Sequence, residues 1–302
     1  MSQRKQKTGY AKKHYRVLFA LLFCFVFLSA NACQMIDPDS VDIEPSVFLS
    51  SGLKPTPEPI PTPTPTPPPE QTPDPTPEPD PIPDIPQVTI LPLEQRKIDP
   101  SLPMIALTFD DGPSKLTNQF LDVLEEYGAV ATFYVIGEYV RNNSDTIQRA
   151  HEMGCEIANH TWSHRRLTRI SNDAIRSQLK DTSDAIENAI GVRPTHMRPP
   201  WGESNANVLS VSRELGLSVV FWSVDTSDYL SITPERIYNK IIDEARDKDI
   251  VLMHDTYERT LDALKMLLPS LVEKGYQFVT VSELMEFSDK ELEPGKSYNH
   301  GR

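Results

Sequence analysis

The chain has 302 residues and a formal net charge of -13. The length admits two domains, but the charge and the lack of a basic stripe exclude a nucleic-acid binder, which needs cations for phosphate. Of three cysteines, at 24, 33 and 155, only Cys155 falls in the expected folded part, so a disulfide-stapled fold is excluded and the core has to be large.

Residues 1 to 32 have the order of an export signal: Arg4, Lys5, Lys7, Lys12, Lys13 and Arg16, then an apolar stretch from Val17 to Ala30. The stretch is about 14 residues, short of the roughly 20 that span a bilayer. Ala30-Asn31-Ala32 fits the small-residue rule for cleavage, and Cys33 resembles the lipid-modified cysteine of bacterial lipoproteins. A lipoprotein at the cell surface is the first expectation and secretion into the cell wall the second. Residues 33 to 54 are expected to be a disordered mature N-terminus. From 55 to 87 the chain alternates Pro with Thr, Glu and Asp and holds more than half of the 28 prolines. Such a segment favours extended polyproline II and buries no core. At about 3.1 Å per residue it reaches on the order of 100 Å, a spacer that holds a domain away from a membrane. The folded domain is expected over 88 to 287, entered by an edge strand or loop, with a polar surface tail over 288 to 302.

Within the domain, the apolar run Met104 to Phe109 reads as a buried strand that stops at Asp110-Asp111-Gly112-Pro113. Successive side chains on extended backbone point apart, so the two carboxylates take separate jobs, one as a metal ligand and one as a base. Ser114 caps a helix through Leu124 to a glycine stop at Gly128. Val130 to Val135 is a strand, Glu138 to Met153 a helix, and Cys155 to Ala158 a strand in which Cys155 is a small buried hydrophobe. Helices follow at 174 to 190, 208 to 215, 235 to 246 and 260 to 274, and strands at 195 to 197, 218 to 224, 250 to 253 and 277 to 281. Seven strands alternating with helices imply an α/β fold, most simply a distorted or incomplete parallel (β/α) barrel, with an open doubly wound sheet as the alternative.

In either architecture the site gathers at the strand C-termini. Asp110-Asp111, His160, Arg198, Asp225 and His254 all follow expected strands and converge on one face. His160 and His164 stand four apart, which puts them on one face if that segment is helical. Two imidazoles and one aspartate leave positions open for water, the layout of a catalytic zinc site, although iron, cobalt or nickel fits the same donors.

Five segments taken together identify a family: Thr108-Phe109-Asp110-Asp111-Gly112, His160-Thr161-Trp162-Ser163-His164, Arg198-Pro199-Pro200-Trp201-Gly202, Asp225-Thr226-Ser227-Asp228-Tyr229 and Leu252-Met253-His254-Asp255. The domain resembles the polysaccharide deacetylases of carbohydrate esterase family 4, which include chitin, nodulation-factor and peptidoglycan deacetylases, and whose fold is a distorted parallel barrel. The resemblance implies that Asp110 is the general base, that Asp111, His160 and His164 bind a divalent metal, zinc first, and that His254 is the general acid. It further implies that Arg198 pairs with Asp110, that Asp225 tunes His254, and that the Trp201 N–H meets the oxyanion. Pro200, Trp201, Tyr229 and Leu252 are expected to form the sugar groove. Trp201 stands where the family usually has Tyr, and Tyr229 where it usually has Trp, so the aromatic walls, and with them the substrate preference, are this chain's own.

The function expected is removal of N-acetyl groups from amino sugars of a wall polymer, peptidoglycan N-acetylglucosamine first, by a monomeric enzyme. Chitooligosaccharide and O-acetylated xylan are the alternative substrates. An inactive tethered carbohydrate-binding module and a metal-dependent amidase for cyclic imides are the competing classes.

Overall fold

The computed structural model describes residues 97–302. The expected export signal, Cys33, the proline-rich segment and the lead-in to residue 96 lie outside the described residues.

The first strand, β1 (Met104–Asp110), is buried along its whole length. Its alternation sends Ile105, Leu107 and Phe109 into the layer beneath the helices and Met104 and Ala106 into the barrel interior. Thr108 and Asp110, in the same phase as Met104, therefore also face inward. Next come α1 (Thr117–Glu126), β2 (Thr132–Val135), α2 (Gly137–Val140), α3 (Ser144–Glu152) and β3 (Glu156–Asn159). The long α4 (Asn172–Ile190) is capped by Ser171 and closed by Gly191 at φ 72°, in line with its sequence signals. β4 (His196–Met197), α5 (Ala206–Glu214), β5 (Ser218–Val220), β6 (Val224–Asp225) and α6 (Pro234–Glu244) follow. β7 (Asp249–His254), α7 (Glu258–Glu273), β8 (Gln277–Phe278), α8 (Val281–Glu286) and β9 (Ser297–Tyr298) complete the order.

The strands pair in parallel in the order β6-β7-β1-β2-β3-β4-β5-β9, with β8 against the start of β1. This is the expected parallel α/β arrangement, a curled, distorted barrel with helices outside. The register sets Asp110 directly beside His254 on the neighbouring strand. A third apolar cluster under α4 and α5, from Leu167 to Val219, supports β4 and β5.

Five elements differ from expectation. The expected strand from 277 to 281 ends at Phe278, because Thr280 caps a helix that starts at Val281. Ser114 does not cap α1; its hydroxyl donates to Asp255 O (2.7 Å), tying the loop after β1 to the loop after β7. The expected helix from Glu138 is broken into α2, a 3-10 turn at Arg141–Asn143, and α3. The expected strand from 218 to 224 splits in two, because the chain leaves the sheet after β5, the neighbour of edge strand β9, and rejoins it at the opposite edge as β6. The tail is structural, not a free extension. Val219 N–H donates to Lys296 O (2.8 Å), Phe221 N–H to Tyr298 O (2.7 Å) and Gly301 N–H to Lys248 O (2.8 Å), so the tail spans the gap between β5 and β7.

Candidate metal centre and active site

A cavity of about 390 Å³ opens at the C-terminal ends of the strands, lined by Asp110, Asp111, His160, His164, Trp201 and His254 among others. Of seven non-glycine residues with left-handed φ among the described residues, five are here or in its loops: Asp111 (72°), Thr161 (70°), His164 (52°), Trp201 (58°) and Ser227 (57°). Such backbone is costly for side chains larger than glycine, and its clustering marks a site whose geometry the surrounding fold imposes.

The turn at Asp111 overrides strand alternation. Both carboxylates face His160, whose Nε2 lies 3.3 Å from Asp111 Oδ1 and 3.8 Å from Asp110 Oδ2. His164 Nε2 lies 3.2 Å from the same Asp111 oxygen. The 160 to 164 segment is a loop, not the helix that would have aligned the two rings. Thr161 N–H donates to Asn159 Oδ1 (2.8 Å), and Asn159 in turn donates to Leu179 O (2.7 Å) and Ser183 Oγ (2.9 Å) on α4. Gly137 and Glu138 N–H groups donate to Thr161 O and Trp162 O, each at 3.0 Å. Gly137 is required there, because a Cβ would strike Thr182 and Trp162.

Three donor atoms of Asp111, His160 and His164 lie within 4.8 Å of one another. His160 Nδ1–H donates to Arg198 O (2.8 Å), which leaves the Nε2 lone pair directed at the cluster. Asp111 Oδ1 is buried and has no hydrogen-bond partner. Burial raises the Asp111 carboxyl, but the adjacent His160, with His164 and His254, outweighs it and holds the group at about 2. Burial, with His160 alongside, lowers His164. A deprotonated carboxylate with an orphaned oxygen and two imidazoles open at Nε2 is a donor set that fits a divalent ion.

Asp110 is held from the other side. Arg198, fully buried, donates from Nη1 to Asp110 Oδ1 (2.8 Å) and Thr108 Oγ1 (2.7 Å). Its remaining donors go to Val220 O (3.2 Å) and Phe221 O (2.8 Å), and its guanidinium lies 4.0 Å from the Tyr134 ring centre. The guanidinium thus fixes one oxygen of Asp110 and leaves the other toward the cavity.

His254 is oriented by Asp228, which corrects the expectation for Asp225. His254 Nδ1 lies 2.7 Å from Asp228 Oδ1, while Asp228 Oδ2 accepts from His254 N–H (2.8 Å) and Thr260 Oγ1 (2.7 Å). Asp225 ends β6 and is occupied locally, accepting from Ser227 N–H (2.8 Å) and Tyr229 Oη (3.4 Å). The left-handed turn at Ser227 carries the chain back so that the next residue, Asp228, reaches the histidine. Burial lowers the His254 imidazolium, but the Asp228 bond and charge, with Asp110 and Asp111, raise it to about 9.

Of the expected groove residues, Trp201, Tyr229 and Leu252 line the cavity, and Pro199 rather than Pro200 does so. Trp201 and Tyr229 are 50% and 47% exposed. Gly202 lets the Trp201 turn close on Trp222, whose ring a Cβ would strike. Sequence reasoning did not place Asp228, Trp222 and Tyr257 in the site. Asp228 lies in the Asp225-to-Tyr229 segment, and an acid at the third position after Asp225 is its sequence signal.

The sequence profile of the polysaccharide deacetylase family matches residues 97–220. Over 201 residues the chain is 40% identical to the peptidoglycan-N-acetylmuramic acid deacetylase PdaC of Bacillus subtilis, covering 66% of this chain and 42% of that protein. Over 190 residues it is 37% identical to a peptidoglycan-N-acetylglucosamine deacetylase of Bacillus cereus, covering 61% of this chain and 89% of that one. A family 4 acetyl xylan esterase from Clostridium thermocellum, solved in complex with a cobalt ion, superposes with a TM-score of 0.62 at 34% identity, covering 65% of this chain and 98% of that one. The chain belongs to the polysaccharide deacetylase family. It spans 42% of the length of PdaC.

Proposed function

We propose that the chain is a metal-dependent hydrolase that removes N-acetyl groups from amino sugars of a cell-wall polysaccharide, peptidoglycan N-acetylglucosamine first, and releases acetate. The observation that carries this reading is the joint placement, in one cavity, of the Asp111-His160-His164 donor set with a guanidinium-held carboxylate and a carboxylate-held imidazole. Asp111, His160 and His164 would hold the ion, zinc first and cobalt, iron or nickel as substitutes. A divalent ion there supplies Lewis acidity to an acyl oxygen and to a water.

The chain's own residues do the rest. Asp110, with one oxygen fixed by Arg198, accepts a proton from the attacking water as it adds to the acetyl carbon. The Trp201 N–H donates to the developing oxyanion. His254, protonated at neutral pH and aligned by Asp228, gives its proton to the amide nitrogen as the carbon–nitrogen bond breaks, so that acetate and a free amine leave. Trp201 and Tyr229 offer flat faces for sugar rings.

The names of the peptidoglycan deacetylases among the relatives support a wall polymer, as do the export signal and long spacer; lipidation at Cys33 would tether the enzyme at the membrane. Acetate release from peptidoglycan, chitooligosaccharide and acetylxylan, with and without chelator, tests the reading. Release from the amino-sugar polymers that stops with chelator and returns with zinc supports it. Release from acetylxylan alone would make the chain an esterase, and no release from any would make it a binding module.

A further inference from the structure

Two aromatic residues on the cavity rim are each backed by an arginine, and the two arginines differ in one respect. Arg166 lies 4.4 Å from the Trp201 ring centre and is ion-paired with Glu203, which also accepts from Thr168 Oγ1 (2.9 Å). That rim is electrically balanced. Arg259 lies 4.1 Å from the centre of the Tyr257 ring, and Tyr257 lines the cavity with its ring 5.9 Å from His254. Arg259 donates from Nε to Asp228 O (2.5 Å), and among the described residues no carboxylate pairs with it. Its two Nη groups are therefore open, on a side chain already held at both its Nε and its flat face.

An uncompensated, immobilised guanidinium needs a reason in a chain of net charge -13 whose cavity also carries Asp110, Asp111 and Asp225. Its planar pair of Nη groups matches a carboxylate end-on. A neutral polymer such as chitin or xylan has nothing to offer it, whereas peptidoglycan carries carboxylates on its lactyl groups or its stem peptides. We propose that Arg259, stacked on Tyr257, is a specificity-determining residue that binds a carboxylate of the polymer next to the sugar being deacetylated. This deepens the proposed function and rests on it: the groove becomes asymmetric, with a neutral aromatic rim at Trp201 and a cationic one at Tyr257.

The test compares kcat/KM of the full chain for three probes: chitotetraose, a peptide-free peptidoglycan tetrasaccharide with lactyl carboxylates, and the same tetrasaccharide carrying stem peptides. Arg259→Gln should lower the acidic-to-neutral ratio about tenfold, through KM with little change in kcat on the acidic probe. Arg259→Glu should lower it further, and Arg259→Lys, which keeps the charge but neither the fork nor the stacking, should restore only part of it. The acidic probe whose ratio moves identifies the carboxylate. An equal loss on acidic and neutral probes would mean that Arg259 only braces the Asp228 loop, and would overturn the proposal, as would no change on any probe. Wild-type protein that releases acetate from none of the three would overturn the proposed function as well.

Discussion

Asp228 holds His254 by two bonds at once, one oxygen 2.7 Å from the imidazole Nδ1 and the other accepting the histidine's own N–H at 2.8 Å. The side chain and backbone of the residue proposed as general acid are therefore positioned by the same carboxylate.

This geometry sets a pH dependence. His254 titrates at about 9, above the usual 6.5, so the stabilisation it gains from its partners is complete below about pH 6.5 and is lost as pH rises through about 9. Protonated His254 is likewise available up to that range. Asp228→Asn should move the alkaline limb of kcat/KM toward the ordinary histidine value and lower the rate about a hundredfold. Asp225→Asn should leave that limb where it is. A pH–rate profile of the three proteins reads both effects.

Arg198 is the second positioning residue. Replacing it with Met leaves Asp110 buried without its cation, a change expected to cost about 3 to 5 kcal/mol. Chemical denaturation should show that loss, and Arg198→Lys, which keeps the charge but not the fork, should recover only part of it.

How much of this was readable from the residues depended on the kind of backbone. β1 and β7 are continuous apolar runs, and their register brings Asp110 beside His254 with no further information. The pairing of His160 with His164 was readable from spacing, but its cause was not: a loop with left-handed Thr161 and His164 carries no glycine signal. Asp225 and Asp228 are indistinguishable as letters, and only the turn at Ser227 decides which acid reaches the histidine. β9 is only two residues, Ser297 and Tyr298, too short for any alternation to announce it.

Glu156 gives a second pH test away from the cavity. Its Oε1 lies 3.0 Å from His196 Nε2, and the carboxylate accepts from the N–H and O–H of Ser282 at the start of α8. Burial raises this carboxyl, but the His196 charge and these bonds outweigh it and lower it from 4.5 to about 2. Its stabilisation is therefore present above about pH 4.5 and lost as pH falls through about 2. Glu156→Gln should be about 2 kcal/mol less stable at pH 7, with the gap narrowing at pH 3. Urea titrations at the two pH values check it.

The tail strand should matter to the site through β5. Deleting residues 296 to 302 removes the partners of Val219 and Phe221 N–H and the Arg302–Asp249 ion pair. The carbonyls of Val220 and Phe221 hold Arg198, so the truncated protein should lose turnover more than it loses metal. Acetate release and metal content of the truncated chain measure the two separately.

Metal content of the dialysed protein, read by elemental mass spectrometry beside acetate release, bears most directly on whether Asp111, His160 and His164 grip one ion. Wild type and Asp110→Asn should each retain about one equivalent, with turnover in the latter down by about a hundredfold or more, while His160→Ala should lose both. A wild-type protein that takes up no divalent ion, or a His160→Ala protein that keeps its full equivalent, would contradict the account.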